Sequence, residues 1–238
     1  MTPQQRDRWM QVFLAQARGP ARNGDLLRQS VDRALKINAA RQNRIGMACM
    51  EDALIETLSQ VVDALEALGV VYAVTGSVAS AVHGEPYSSM DDDLIVLATA
   101  NDAARLSSRL TPRFYAPEDM LMDAVTQHSF VNVVDNRTGF KIDLSFVGDD
   151  AFLLAVLRRR VRACIGTHAK EFWFVTPEDV ILMKLVWRKD TRSTKQWENA
   201  LSVARIKGTR MDWEYLFQRA KDLGVENDLN QLRDEAGI

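Results

Sequence analysis

The sequence predicts an α/β (α+β) protein with a mixed β-sheet core, a helical N-terminal extension and a C-terminal helical region. Apolar residues recur at helical spacing in the first and last thirds of the chain. Between them lie four short apolar segments bounded by turn residues, a pattern typical of strands. A helix-length segment separates the first two of these strands. We therefore divide the chain into a helical extension (1–50), a core (51–150) and a mainly helical region (151–238).

The composition excludes several classes of protein. The chain has 238 residues, a net charge of −2, 47% hydrophobic and 26% charged residues, which describes a globular protein and not a disordered one. This charge balance gives no global electrostatic case for a nucleic-acid or membrane partner. Two distant cysteines, Cys49 and Cys164, exclude a disulfide framework, and Cys164 with His168 lacks a second ligand pair. The polar N-terminus and the absence of a long apolar run lead us to expect a cytoplasmic protein without a membrane partner.

The predicted N-terminal extension consists of two basic helices separated at Gly19-Pro20. Its arginines and lysine suit either a solvated outer face or a nucleic-acid contact. We favour the solvated face, because no aromatic residues are interleaved with the basic ones. A strongly amphipathic helix over 50–68 then opens the core and ends at Gly69.

The core and the C-terminal region follow from turn and cap signals. A loop over 135–139, with Gly139 at its end, predicts a hairpin between two strands. Thr176-Pro177 predicts the start of a helix, with Thr as the cap and Pro at the first helical position. The predicted strands are 70–74, 91–97, 128–134 and 140–147, and the predicted helices are 78–83, 102–110, one from Pro177, 197–206, 213–223 and 228–232.

Three consecutive carboxylates, Asp91-Asp92-Asp93, stand at the start of a predicted strand. Side chains at i and i+2 of a strand share a face, so Asp91 and Asp93 point together and Asp92 points away. Like charges held side by side call for a cation, and hard oxygen ligands suit Mg²⁺ or Mn²⁺. A capped and solvated strand end is the ordinary alternative for such a cluster.

Two further features complete a candidate site. Asp143 lies on the polar face of a predicted half-buried strand, and it completes a three-carboxylate cluster if that strand neighbours 91–97. Gly76-Ser77 lies where a strand ends and a helix begins, which permits close backbone approach and supplies N–H groups to an anion. Taken singly, these are an exposed strand residue and an ordinary connection. Their combination predicts a phosphate site beside a metal site.

At these residues the sequence resembles the DNA polymerase-beta-like nucleotidyltransferase superfamily. The shared pattern is an apolar strand, Gly76-Ser77, a short helix, Asp91 with Asp93 on the next strand, and Asp143 on a later one. The tracts 129–134, 139–144, 176–185, 195–199 and 212–216 resemble a bacterial branch that includes abortive-infection toxin nucleotidyltransferases (AbiEii type) and uncharacterised relatives. The resemblance covers about residues 52 to 235. Two departures are Asp92, where the family usually has an apolar residue, and Ser88-Ser89-Met90, where relatives tend to have Arg and Thr.

The resemblance implies a role for each of these residues. Asp91 and Asp93 are expected to hold Mg²⁺ (or Mn²⁺) against the triphosphate, and Asp143 to hold a second metal and help deprotonate the acceptor hydroxyl. The expected nucleotide contacts are Gly76 and Ser77 at the β- and γ-phosphates, Ser88 or Ser89, and Lys184. Lys184 is either a positive charge near the acids or phosphates or a lysine that snorkels from its helix.

The function implied is transfer of a nucleoside monophosphate from ATP or another NTP to a hydroxyl of a tRNA end, a protein or a small molecule. Such an enzyme in this branch is expected to act as a toxin with a cognate antitoxin. The alternatives are an inactive nucleotide-binding or protein-interaction module with the same fold, and a nucleic-acid-binding regulator that uses the N-terminal arginines. The enzyme hypothesis requires Asp143 to point toward Asp91 and Asp93.

Overall fold

The computed structural model describes residues 52–85, 91–165 and 169–238, and for Asp91 and Asp190 only the backbone is described. The predicted N-terminal extension lies outside these residues, as do Ser88, Ser89 and His168. From Ala53 to Ile238 the chain forms one compact unit. The domain boundaries at 50 and 150 stay predictions.

Helices and strands are interspersed along the described chain up to residue 174, and only helices follow. In order they are α1 (52–67), β1 (Val71–Thr75), α2 (Gly76–His83), β2 (Asp91–Leu97), α3 (Ala100–Leu110), β3 (Phe114–Tyr115), α4 (Glu118–Thr126), β4 (Phe130–Asp135), β5 (Lys141–Phe146), α5 (Ala151–Arg159), β6 (Val161–Cys164), β7 (Glu171–Phe174), α6 (Pro177–Thr191), α7 (Thr194–Lys207), a 3₁₀ turn (Gly208–Arg210), α8 (Trp213–Leu223) and α9 (Glu226–Ala236).

The described strands form a seven-stranded mixed sheet in the order β3-β4-β5-β2-β1-β7-β6, which confirms the predicted fold class. β2 runs parallel to β5, and β1 runs parallel to β7. The remaining neighbours, including the predicted β4–β5 hairpin, are antiparallel. The acidic strand β2 therefore lies between β1 and β5 in the middle of the sheet, next to the strand that carries Asp143.

The strand register divides the centre of the sheet into two faces. One, the buried face, carries side chains that are removed from solvent: Asp92, Leu94, Val131, Val133, Ile142 and Leu144. The other, the open face, carries Asp93, Phe130, Asn132, Lys141, Asp143 and Ser145, which are half-buried or exposed, together with Thr75 and Ile95, which are buried. Burying each large aliphatic side chain contributes about 1.5–3 kcal/mol, so the buried face fixes the strand register.

Helix α1 contributes apolar residues to the core and also forms a hydrogen bond to the sheet. Thr57 Oγ1 donates to the fully buried carboxylate of Asp135 at 3.1 Å. Arg113 donates to the same carboxylate oxygen through Nε and Nη2, at 3.2 and 3.0 Å. Burial alone would raise the pKa of Asp135, but the hydrogen bonds from the Arg137 backbone, Arg113 and Thr57 hold it below its ordinary value.

Helix α6 begins as the sequence predicts. Thr176 caps it by accepting a hydrogen bond from the Asp179 backbone N–H at 3.2 Å, and Pro177 occupies its first position. Most of its first three turns are buried, from Val180 through Leu185. The helix therefore belongs to the core, and residues on it can reach the sheet.

The region after residue 150 contains two strands that the sequence pattern did not indicate. β7 alternates buried Phe172 and Phe174 with half-buried Trp173, but four residues are too few for a reliable period. The basic run at 158–160 ends α5, while Arg162 lies on β6. Helix α4 was also not predicted.

Within the described ranges, no helix combines the length and the apolar character that crossing a membrane requires.

Candidate active site

Four adjacent strands place one residue each in a row across the open face. Thr75 of β1 lies opposite Asp93 of β2, Asp93 lies opposite Asp143 of β5, and Asp143 lies opposite Asn132 of β4. Neighbouring strands are about 4.8 Å apart, so Asp93 and Asp143 stand side by side. The predicted neighbourhood of these two carboxylates is therefore present.

Asp93 and Asp143 line a cavity of about 340 Å³, a volume in the range of small-molecule sites. The wall of the cavity is mainly polar. Its other lining residues are Gly76, Ser77, Lys184, Trp187, Lys195 and Gln196. Three of these six, Gly76, Ser77 and Lys184, are residues that the sequence singled out.

The third predicted carboxylate, Asp91, lies on β2 opposite Lys141 in the register, and its side chain is not described. No group of three or more His, Cys, Asp or Glu side chains in the described part of the chain is arranged to hold a metal. The donor set that is described, two carboxylates side by side at the edge of a cavity, has the hard oxygen chemistry that suits Mg²⁺ or Mn²⁺. The three-carboxylate cluster stays a prediction.

Gly76 brings the start of α2 directly against Asp93. Its φ of +64° lies in the left-handed region that favours glycine. A Cβ at this position would lie 2.7 Å from Cγ of Asp93, closer than real side chains approach. Glycine is therefore required at this position for two reasons: the left-handed backbone of the strand-to-helix turn, and the carboxylate that occupies the space a Cβ would need.

The first turn of α2 forms the second wall of the cavity. Thr75, the residue before the helix, makes no side-chain capping hydrogen bond to it, and no acidic residue lies in the first turn. Ser77 is buried and lines the cavity. A helix start with this composition favours an anionic group in front of it, because the N-terminal N–H groups and the helix dipole point there.

Lys184 of α6 is only 3% exposed and lines the cavity, so it does not snorkel to solvent. Burial lowers the pKa of Lys184 to about 8, while the charge of Asp93 favours the ammonium form and that of Lys195 opposes it. At neutral pH the side chain is still mainly charged. The cavity therefore contains a buried cation within the field of Asp93.

Asn132 is a site residue that the sequence interpretation missed. Its Nδ2 donates a short hydrogen bond to Oδ1 of Asp143. Counting outward from the predicted loop at 135–139 pairs Asn132 with Ile142, one residue away from the observed register, so the sequence carried no direct signal for this contact. Trp187 lies three residues after Lys184, at the spacing of one helix face, and Lys195 and Gln196 lie in the tract 195–199 that carries the family resemblance.

His83 and several arginine side chains that do not line the cavity lie in structural contacts. His83 is buried, its Nε2 bonds the Val175 carbonyl at 2.8 Å, and burial lowers its pKa. Arg159 stacks on Tyr215, and Arg160 and Arg162 lie over Trp173.

Cys164 is an exposed free thiol that does not line the cavity. Its proposed partner, His168, lies outside the described residues, so this weak metal-site candidate gains no support.

No family model matches the chain, and no curated protein matches it. Among solved structures, an antigenic nucleotidyltransferase-like protein from Paracoccidioides brasiliensis is similar at 13% identity and a TM-score of 0.43, covering 77% of this chain and 93% of that one. The antibiotic-resistance factor ANT(2'')-Ia is similar at 14% identity and a TM-score of 0.46, covering 75% of this chain and 96% of that one. At this level of similarity neither structure decides the chemistry of the site.

Proposed function

We propose that this protein is a metal-dependent nucleotidyltransferase that moves a nucleoside monophosphate from an NTP to a hydroxyl acceptor. The observation that carries the proposal is the direct pairing of Asp93 and Asp143 across β2 and β5, in a cavity that also contains the glycine-opened start of α2. A pair of carboxylates next to an anion-favouring helix start suits a metal-bound polyphosphate better than it suits a neutral ligand.

Asp93 and Asp143, with Asp91 as the predicted third ligand, would hold Mg²⁺ or Mn²⁺. A divalent ion bound there would neutralise phosphate charge and polarise the phosphoryl oxygens. The fit rests on the donor atoms, because two adjacent carboxylates repel each other unless a cation lies between them.

The triphosphate would lie against α2 and α6. The backbone of Gly76 and Ser77 offers N–H groups to its terminal phosphates, and Gly76 permits the approach because it has no Cβ. Lys184 would add a point charge inside the cavity and Lys195 a second one at the start of α7. These groups position the α-phosphorus near the two carboxylates without forming a covalent bond to it.

At the acceptor, Asp143 is the candidate base. The acceptor oxygen forms a bond to the α-phosphorus, the bond from that phosphorus to the bridging oxygen breaks, and pyrophosphate leaves. The hydroxyl proton passes to the Asp143 carboxylate, whose orientation Asn132 fixes through its hydrogen bond to Oδ1. Lys184 would balance the negative charge of Asp93 during this change, together with the divalent ion that the carboxylates would hold.

The acceptor class and the biological role are further parts of this proposal. A tRNA end, a protein hydroxyl and a small-molecule hydroxyl all fit the chemistry. The resemblance of the sequence to the abortive-infection branch supports a toxin that is restrained by a cognate antitoxin in the cytoplasm.

The test uses NTPs labelled separately at the α- and γ-phosphate, with Mg²⁺ or Mn²⁺, and with total tRNA, protein lysate or a small-molecule extract as acceptor. The α-label is expected in the acceptor fraction and the γ-label in pyrophosphate. An Asp93→Asn variant is expected neither to label the acceptor nor to release labelled pyrophosphate. Equal labelling by the wild type and this variant would contradict the proposal, as would a γ-label that enters the acceptor.

The inactive-module alternative makes a different prediction in the same assay. It expects metal-dependent NTP binding by the wild-type protein and no transfer of the α-label to any acceptor fraction. Binding and transfer are therefore measured on the same preparation.

A further inference from the structure

Trp187 combines exposure with a place in the cavity wall. Its side chain is 40% exposed, and it lines the cavity together with Asp93, Asp143 and Lys184. In the described part of the chain the other exposed large apolar side chains, none of which lines this cavity, are Leu97, Tyr115, Met120, Phe130, Val161 and Ile206. An indole ring that is open to a cavity offers a flat apolar surface to a planar ligand.

The ring of Trp187 is also held in place from within the helix. Lys184 lies three residues earlier on α6, so the two side chains leave the helix on one face. The Lys184 ammonium lies 5.3 Å from the centroid of the indole ring. This cation–π contact holds the indole ring beside the Lys184 ammonium.

We infer that Trp187 is the platform on which the base of the nucleoside triphosphate stacks, so that this residue reads the nucleoside end of the substrate while Lys184 faces its phosphates. The inference rests on the proposed function, because it takes an NTP as the ligand. It adds a binding role for a residue outside the tracts on which the family resemblance rests.

The groups that line the cavity support the base as the occupant. The carboxylates, the start of α2 and Lys184 are partners for phosphates and their metal ion. Trp187 lies three residues after Lys184 on α6 and in cation–π contact with it. A group attached to phosphates held by Lys184 therefore lies near the indole ring, and of the two ends of an NTP only the base is flat and apolar enough to stack on it.

The experiment compares ligands that share phosphates but differ in the base. Binding of ATP, GTP, CTP, UTP and inorganic tripolyphosphate is measured by calorimetry with Mg²⁺ present, for the wild type and for Trp187→Ala, Trp187→Phe and Tyr115→Ala. Tyr115 is a matched control, because it is an exposed aromatic residue on the edge strand β3 and does not line the cavity.

Trp187→Ala is expected to weaken NTP binding about tenfold, and to leave tripolyphosphate binding unchanged within about twofold. Trp187→Phe is expected to keep most of the NTP affinity, and Tyr115→Ala all of it. An equal loss for NTP and tripolyphosphate would overturn the inference, because it would assign Trp187 a purely structural role beneath Lys184. Unchanged NTP binding in Trp187→Ala would overturn it as well.

The binding readout separates this inference from the proposed function. Base-dependent binding through Trp187 without transfer of an α-label would remove the enzyme proposal and leave the stacking platform standing. Transfer that proceeds with unchanged nucleotide affinity in Trp187→Ala would remove the stacking platform and leave the enzyme proposal standing.

Discussion

The two faces of the central sheet show how one strand serves both the core and the site. Asp92 and Asp93 are consecutive on β2, yet Asp92 is 2% exposed and lies in a row with Ile142 and Val133. Asp93 lies in a row with Asp143 and Asn132 and faces the cavity. Because strand side chains alternate, a carboxylate's chemical environment changes completely over one residue.

Asp135 on the buried face and Asp143 on the open face also differ in the hydrogen bonds that they accept. On the buried face, Asp135 receives hydrogen bonds from Thr57, Arg113 and the Arg137 backbone, so protein donors surround it. On the open face, Asp143 receives one from Asn132 and remains beside a cavity. Carboxylates of the first kind hold elements together, and those of the second kind are available to a ligand. The four predictions below test this division.

The largest effect is expected when the same change is made on either face of β2. Asp93→Asn keeps the shape of the side chain but removes its charge, and transfer is expected to fall about a thousandfold, because metal binding contributes several kcal/mol to such reactions. Asp92→Asn is expected to keep transfer within a few-fold of wild type and to change the melting temperature instead. Similar losses of transfer in the two variants would show that the faces are not functionally distinct.

Adding one methyl group at Gly76 is expected to have the next largest effect. Gly76→Ala forces an alanine into the left-handed region and pushes Cβ into the Asp93 carboxylate, so transfer is expected to fall about a hundredfold. Gly139→Ala is the matched control, since Gly139 has a φ of +75° and nothing within 4 Å of its Cβ. Gly139→Ala is expected to lose about 1–2 kcal/mol of unfolding free energy and no activity. Gly76→Ala is expected to lose more stability, because the clash with Asp93 adds to the backbone strain, and to lose its activity as well.

A smaller effect is expected at Asn132, which contacts Asp143 but does not line the cavity. Asn132→Ala removes the donor that orients the carboxylate, and kcat is expected to fall about tenfold with little change in NTP affinity. Asn136→Ala serves as control, because the Asn136 side chain bonds the Pro112 carbonyl in the hairpin region. A loss of affinity equal to the loss of kcat would assign Asn132 to substrate binding instead.

The smallest effect concerns α2, the helix whose first turn borders the open face. The pKa of buried His83 lies below its ordinary value of about 6.5, so below that pH the unfolded chain takes up a proton that the folded protein resists. Stability is therefore expected to fall as the pH drops from 7 to 5.5, and to fall less in His83→Gln. Melting temperatures across this range, with exposed His128→Gln as control, measure the difference. Parallel curves for His83→Gln and the wild type would contradict it.

Local pattern was enough to predict much of the strand arrangement around the cavity. The predicted bounds of β2 agree with the structure, as do the hairpin of β4 with β5 and the polar-face position of Asp143. These features depend on alternation over six or seven residues and on one glycine-containing loop. They are encoded by residues that are neighbours in the chain.

The missed features depend on contacts between distant parts of the chain. The sequence does not predict that β2 pairs with β5, because nothing in either strand specifies its neighbour. The direction of Lys184 and Trp187 toward the cavity depends on how α6 packs against α2, α7 and α8. Strand β7 is too short to show a period, although Phe172 and Phe174 are fully buried.

The pairing of β1 with β7 has a consequence for anyone who expresses part of this protein. A fragment that ends near residue 150 would leave β1 as an exposed edge, with the apolar run from Tyr72 to Val74 open to strand addition. The same cut would remove Lys184 and Trp187 from the cavity. Such a fragment is expected to aggregate and to be of no use for ligand screening, whereas trimming before Asp52 spares every residue of the cavity.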